Sequence, residues 1–222
     1  VLYTTKWGIF DLDPENCHPD HYVKEDAFWD VHLKPYFDML KPTDNVIDIG
    51  AYCGFHTVYL AKIVNHVYSV EPQAVVFERL KNTIAANGLT NVTLFNNAAL
   101  SKEVQVRSTQ LEPWIKDLPT HWVQEDEAGS IKGVRVDSLI DLTTPIAFIK
   151  CDAQGSDLRA LVGCEAIIEK WRPAIVFEHE GIAANLWNDQ WTDYQAFFEK
   201  WNYQFESIEG RNDFYAKPKE TA

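Results

Sequence analysis

Val46-Ile47-Asp48-Ile49-Gly50-Ala51-Tyr52-Cys53-Gly54-Phe55 is a short apolar run closed by a glycine and followed by a turn with two bulky residues between small ones. A run this short is too brief for a helix and fits a strand, Asn45–Ile49, buried on both faces. Helical spacing takes over at His56–Val64, and a second β-branched run stands at Val67–Val70. After Pro72, the residues Val76, Phe77, Leu80 and Ile84 fall at helical intervals, with Gly88 where a left-handed helix end belongs. Strands are then predicted over Val92–Phe95, Ile146–Cys151 and Ala174–Glu178, with a helix over Ser156–Trp171 between the last two. Upstream, Ala27, Phe28, Val31, Phe37 and Leu40 predict a helix over Val23–Leu40, ending before Lys41-Pro42. Downstream, Thr192 reads as the cap of a helix carrying Tyr194, Phe197, Phe198 and Trp201, and Tyr203–Ile208 with Phe214–Ala216 read as an antiparallel hairpin. Strand alternating with helix implies parallel strands joined by right-handed crossovers, hence an open α/β sheet with helices on both faces.

The chain has 222 residues, 46% of them apolar, and 33 Asp and Glu against 20 Lys and Arg, a net charge of -13. Those values describe one globular domain over 1–222, with an N-terminal helical extension (1–44) and an insertion (101–137). They argue against nucleic acid and anionic membranes as partners, since both are bound through Lys and Arg on phosphates. No run of 18 apolar residues exists and the first 30 residues lack the order of a signal peptide, so a cytoplasmic setting is the expectation. Cys17, Cys53, Cys151 and Cys164 are far apart with no CxxC pair, the pattern of reduced thiols. In the insertion, Val104–Ser108 and Gly133–Val136 are suited to pair beside the sheet. Between them lie Trp114, Trp122 and the acidic run Glu125-Asp126-Glu127. Two readings stand for this stretch: a loop that covers substrate, or a solvated loop whose rings pack on the sheet edge.

In an open α/β sheet the ligand lies beyond the carboxyl ends of the strands. The first such turn reads Asp-x-Gly-x-x-x-Gly. Asp48 stands where a dinucleotide fingerprint needs its first glycine, and no Lys follows Gly54 as a phosphate loop requires. The turn therefore suits a ligand without phosphates, with Asp48 offered to a cation. The second strand ends at Glu71, before Pro72, where a carboxylate can accept both hydroxyls of a ribose. A cation and a ribose diol together describe S-adenosylmethionine. Each acid also has a plainer reading, as a carboxylate at a helix start.

These residues resemble the FkbM family of class I S-adenosylmethionine-dependent methyltransferases. The likeness runs from about Leu40 to Gly181 through VIDIGAYCGFHT, VYSVEP, NNAALS at 96–101, VRVDSLID at 134–141, IKCDAQGSDLRALVG at 149–163 and RPAIVFEHEG at 172–181. It implies a Rossmann-like, seven-stranded, mostly parallel sheet with an antiparallel last strand, and O-methylation of natural products, sugars or similar hydroxylated molecules. By position, Gly50, Ala51, Tyr52, Gly54 and Phe55 would wrap the methionine part, Glu71 and Pro72 the ribose, and Asn97 with Ala98 the adenine edge. The family usually carries Lys-x-Asp-x-Glu-Gly-x-Glu after its fourth strand. Here Lys150, Asp152, Gln154, Gly155 and Asp157 occupy those places, so one charge is lost at Gln154 and one methylene at Asp157.

Methyl transfer depends chiefly on alignment, and an alcohol acceptor must also lose its proton. Lys150, Asp152, Glu178, His179 and Glu180 are the polar groups after the fourth and fifth strands. His179 reads as a base or as a salt-bridged structural group, Asp152 as base, cofactor contact or metal ligand, and Lys150 as catalytic or as a structural ion-pair partner. Asp152 with Glu178, His179 or Glu180 keeps a magnesium-dependent, catechol-type chemistry open. Cys17-His18-Pro19-Asp20-His21 resembles a metal cluster only in composition and reads as a polar turn. Trp114, Trp122, Trp187 and Trp191 serve either as stacking platforms or as core. A nucleobase amine methylase would carry an Asn/Asp-Pro-Pro-aromatic loop where this chain has Asp152-Ala153-Gln154-Gly155, so a small-molecule acceptor is the expectation. The rival functions are an NAD-dependent oxidoreductase and a cofactor-binding module without catalysis.

Overall fold

Each apolar run flanking the Asp48–Gly54 turn becomes a strand of one central sheet. The computed structural model describes residues 1–13, 27–109, 122–179, 181 and 186–220. In chain order the sheet strands are β3 (Asn45–Ile49), β4 (His66–Val70), β5 (Val92–Phe95), β10 (Phe148–Cys151), β11 (Ala174–Glu178), β12 (Tyr203–Ser207) and β13 (Asp213–Pro218). Their spatial order is β12-β13-β11-β10-β3-β4-β5, all parallel except β13, which runs antiparallel to both neighbours. The expected seven-stranded sheet with an antiparallel last strand is therefore present. Beside it lies a four-stranded sheet of β6 (Ala98–Ala99), β9 (Ile131–Val134), β7 (Val104–Thr109) and β8 (Trp122–Glu125). The predicted pairing of Val104 with Gly133 is part of that sheet. Trp122 is buried in it, while Trp114 and the Cys17–His21 stretch lie outside the described residues.

The helices are α1 (Lys34–Phe37), α2 (Phe55–Ala61), α3 (Ala74–Ala86), α4 (Asp157–Val162), α5 (Glu165–Trp171) and α6 (Trp191–Lys200). In-register Ile47, Ile149 and Ile175 point to one face, where they pack with Leu158, Leu161, Ile168, Tyr194 and Phe198 from α4, α5 and α6. Val46, Phe148 and Val176 point to the other and meet Leu33, Phe37 and Leu60. This period-2 alternation puts Asp48 and Lys150 on the α2 side. Among the described residues no helix is long and apolar enough to cross a membrane.

Four local expectations are corrected. The N-terminal extension begins not as a helix but as a β hairpin, β1 (Leu2–Thr4) with β2 (Ile9–Asp11). It is held on α3 by Asn87, which bonds the Ile9 N–H and carbonyl, and by Thr83, whose hydroxyl accepts the Asp11 N–H. Of the helix predicted over Val23–Leu40, residues 27–40 are described, and among them helical structure runs only from Val31 to Phe37, because Asp30 is left-handed (φ 49°) and Pro35, without an N–H, belongs in a first turn. The Ser156–Trp171 helix divides at Gly163, where a Cβ would lie 2.3 Å from the Leu100 carbonyl oxygen. The last helix is capped by Gln190 and Asp193 in a capping box, its N-cap two residues earlier than Thr192.

Candidate active site at the carboxyl ends of the strands

The turn after β3 is shaped first by its neighbours. Gly50 (φ +73°) stands where a Cβ would lie 1.8 Å from the Asp152 carbonyl oxygen, so only glycine lets the two chain segments close here. Its N–H and that of Ala51 both donate to the Val70 carbonyl, at 3.0 and 3.1 Å. Gly54 (φ +93°) starts α2 against Leu80 and Thr83 of α3 and is not on the cleft wall. The cleft above this turn encloses about 230 Å³, and Gly50, Ala51, Tyr52, Phe55, Glu71, Pro72, Ala98 and Asp152 all line it.

Glu71 is 3% exposed. Its two carboxylate oxygens accept the Tyr52 N–H at 3.0 Å and the Gln73 N–H at 2.8 Å, which fixes the group at the mouth of β4. Burial pushes its pKa up to about 7, against the pull of those N–H groups. Asn96 braces the same corner by donating to the Glu71 and Pro72 carbonyls. Its neighbour Asn97 instead donates to the Lys132 carbonyl at 3.2 Å and is not part of the wall, which corrects its expected place at the adenine edge.

Asp48 is corrected as well. It is fully buried beneath the turn, accepts the Thr57 hydroxyl at 2.6 Å and faces Lys150 Nζ at 3.4 Å. The cation it meets is the protein's own. Lys150 also lies 3.4 Å from Asp152 and donates to the Gly50 carbonyl at 3.0 Å. Burial opposes its charge, but Asp152 and Asp48 outweigh that and hold the ammonium well above its ordinary range. A lysine that stays protonated cannot take a proton, so the geometry gives Lys150 the structural role rather than the catalytic one.

Asp152 borders the cleft. Burial alone would raise its pKa, but Lys150 and the Gln154 side chain outweigh burial and hold the carboxyl below its ordinary value. Gln154 (φ 47°) donates to Asp152 Oδ1 at 3.0 Å and to Glu178 Oε2 at 3.4 Å, and Glu178 also hydrogen-bonds Asp152, so the amide ties two adjacent carboxyl groups together. Asp157 accepts the Ala153 and Gly155 N–H groups at 3.0 and 3.1 Å, and burial pushes it up to about 8. The shorter acid thus shapes the turn that carries Asp152. His179 turns away from the cleft: its ring lies edge-on to Trp191 at 4.8 Å and Tyr194 at 4.9 Å, and its backbone N–H donates to the Asn212 carbonyl. The base expected there is not at the site, and Glu180 lies outside the described residues.

Among the wall residues that escaped the sequence reading are Trp29, Asp30, His56 and Asp213. Trp29 stacks on Phe55 at 4.7 Å, and His32 Nε2 lies 2.7 Å from Asp213 Oδ2, so residues 27–33 form a strap across the cleft. Only His56 carried a local signal, two residues after the turn glycine. Five carboxylates now face one cleft, Asp30, Glu71, Asp152, Glu178 and Asp213, against the single ammonium of Lys150 among the described wall residues. Such a wall suits a cation bearing hydroxyls and disfavours phosphates.

The strand order, the turn after β3 and the acid closing β4 define a class I methyltransferase fold. The chain belongs to the FkbM methyltransferase family, whose domain profile matches residues 48–205. A methyltransferase FkbM from Methylobacillus flagellatus KT superposes with a TM-score of 0.57 at 18% identity, covering 80% of this chain and 44% of that one. The precorrin 8w decarboxylase of Methanobacterium thermoautotrophicum gives 0.53 at 14% identity, covering 93% and 94%. A Streptococcus mutans protein solved with SAH gives 0.52 at 11% identity, covering 85% and 99%. In sequence, a protein-L-isoaspartate O-methyltransferase 1 of Polaromonas sp. strain JS666 is 38% identical over 55 residues, 25% of this chain and 23% of that protein. The shared segment is therefore about a quarter of that relative's length.

Proposed function

We propose that the protein methylates a hydroxyl of a small molecule, sugar or natural product with S-adenosylmethionine as donor. The observation that carries the donor in this reading is Glu71: a buried carboxylate, fixed by two backbone N–H groups on the cleft wall, whose remaining lone pairs can accept from a vicinal diol. The acid-rich wall fits the donor's positive charge. Glu71 would hold the ribose, the Gly50–Phe55 turn the methionine part, and Ala98 the adenine edge. When bound, the cofactor supplies an electrophilic methyl group on a positively charged sulfur. The chain's part is to align an acceptor oxygen with that methyl, exclude water and accept the acceptor's proton. Asp152, held ionised, accepts a hydrogen bond from the acceptor but is a weak proton acceptor.

Among the described residues no three His, Cys, Asp or Glu are grouped to hold a metal ion, and Glu180, one of the candidate magnesium ligands, lies outside them. The test is incubation with methyl-labelled S-adenosylmethionine and a panel of hydroxylated small molecules, with RNA and DNA as controls. Label in a hydroxylated product is expected. Label in nucleic acid alone would overturn the acceptor class, and cofactor binding with no product across the panel would favour the non-catalytic module.

A further inference from the structure

We infer that His56 is the proton acceptor for the methyl acceptor, oriented by Asp30 and by the Trp29 carbonyl; this rests on the methyltransferase reading above. His56 is the imidazole on the cleft wall among the described residues, 5% exposed at the start of α2. Its Nε2 lies 3.2 Å from the Trp29 carbonyl oxygen. A carbonyl only accepts, so Nε2 carries the proton and Nδ1 keeps its lone pair. No described residue bonds Nδ1, and His56 lines the cleft, so Nδ1 is the ring nitrogen left to accept a proton. Asp30 Oδ2 stands 3.7 Å from Nε2, placed to balance an imidazolium. This is the order acid, imidazole, open nitrogen that activates a hydroxyl elsewhere in enzymology. Three further facts fit. Lys150 is protonated and committed, His179 faces away from the cleft, and Asp152 is held ionised at low pKa. Burial and Lys150 also hold His56 below its ordinary range, while Asp30 and Asp48 pull the other way, so it is neutral at pH 7.

The step balances. The acceptor oxygen forms a bond to the methyl carbon, the carbon–sulfur bond breaks with its electron pair going to sulfur, and the acceptor's proton passes to Nδ1. A sulfonium, an alcohol and a neutral imidazole become a thioether, a methyl ether and an imidazolium.

The test needs no acceptor. Sinefungin carries an ammonium where S-adenosylmethionine carries its methyl, and S-adenosylhomocysteine carries neither. If Nδ1 faces the transferring methyl, neutral His56 accepts from that ammonium and protonated His56 repels it. Calorimetry from pH 5 to 8.5 should then show the preference for sinefungin over S-adenosylhomocysteine falling by about tenfold per pH unit below the His56 pKa. Effects of Glu71 on the ribose cancel in that ratio. His56→Gln should flatten the profile while leaving S-adenosylhomocysteine affinity at pH 8 within about twofold. Asp30→Asn, at a more exposed position that tolerates a left-handed residue, should move the midpoint to lower pH. A slope that survives His56→Gln, an Asp30→Asn midpoint that moves to higher pH, or a preference for sinefungin that is flat with pH and also unchanged at pH 8 by His56→Phe, which removes the accepting nitrogen, would overturn the assignment. Wild-type protein that binds neither compound would overturn the cofactor reading beneath it.

Discussion

At Glu71 one side chain joins sequence, burial and ligand chemistry. Apo Glu71 titrates near 7 because burial penalises its charge. On the proposed role of Glu71, ribose hydroxyls would donate to the ionised form, and binding would pull that pKa down. Cofactor binding at pH 6 is therefore expected to release close to one proton, and the release should fade by pH 8.5 as the free protein is already ionised. Calorimetry in buffers of different ionisation enthalpy measures it, and Glu71→Gln should abolish it. Glu71 was legible because its chemistry is local: a strand, an acid and a proline in sequence. Asp48 was not, since its partner Lys150 lies 102 positions on and is found only once β3 and β10 are in register. The same limit hid Asp213 and Asp30, which reach the cleft from opposite ends of the chain.

Among elements, the seam between β3 and β10 carries most of the site. Register places Asp48 opposite Lys150, and the carbonyl of Asp152 closes on Gly50. Lys150→Met would leave Asp48 buried with no cation, a loss of about 3–5 kcal/mol by urea denaturation. The double variant Lys150→Met with Asp48→Asn should recover most of it, because removing both charges removes the desolvation cost as well. Equal losses in the single and double variants would refute the pairing. Strand positions were readable to within a residue or two because apolar runs bounded by Gly and Pro are strong local signals. The N-terminal hairpin was not, since three-residue strands have no periodicity and Ile9–Asp11 is held by Asn87 and Thr83 of α3.

Over the whole molecule, the net charge of -13 acquires a direction. Part of it is concentrated where β3, β4, β10 and β11 end, and the field there favours a cationic ligand. S-adenosylmethionine is one unit more positive than S-adenosylhomocysteine, so raising salt from 0.05 to 0.5 M should weaken the former more, as screening shortens the Debye length from roughly 14 to 4 Å. Parallel salt slopes would show that the acidic wall does not act on the ligand. The open α/β sheet was legible from alternation of strand and helix, and its seven strands with an antiparallel last one from the family resemblance, whereas the strap over the cleft was not, since its contacts join residues 27–33 to α2 and β13. The claim beneath everything else is that this cleft is built for S-adenosylmethionine around Glu71. Titration of S-adenosylhomocysteine and of NAD⁺ into wild-type and Glu71→Ala protein tests it most directly. The account predicts one S-adenosylhomocysteine bound per chain, weakened by about 1–3 kcal/mol in the variant, with no NAD⁺ binding. NAD⁺ binding without S-adenosylhomocysteine binding, or identical affinities in the two proteins, would contradict it.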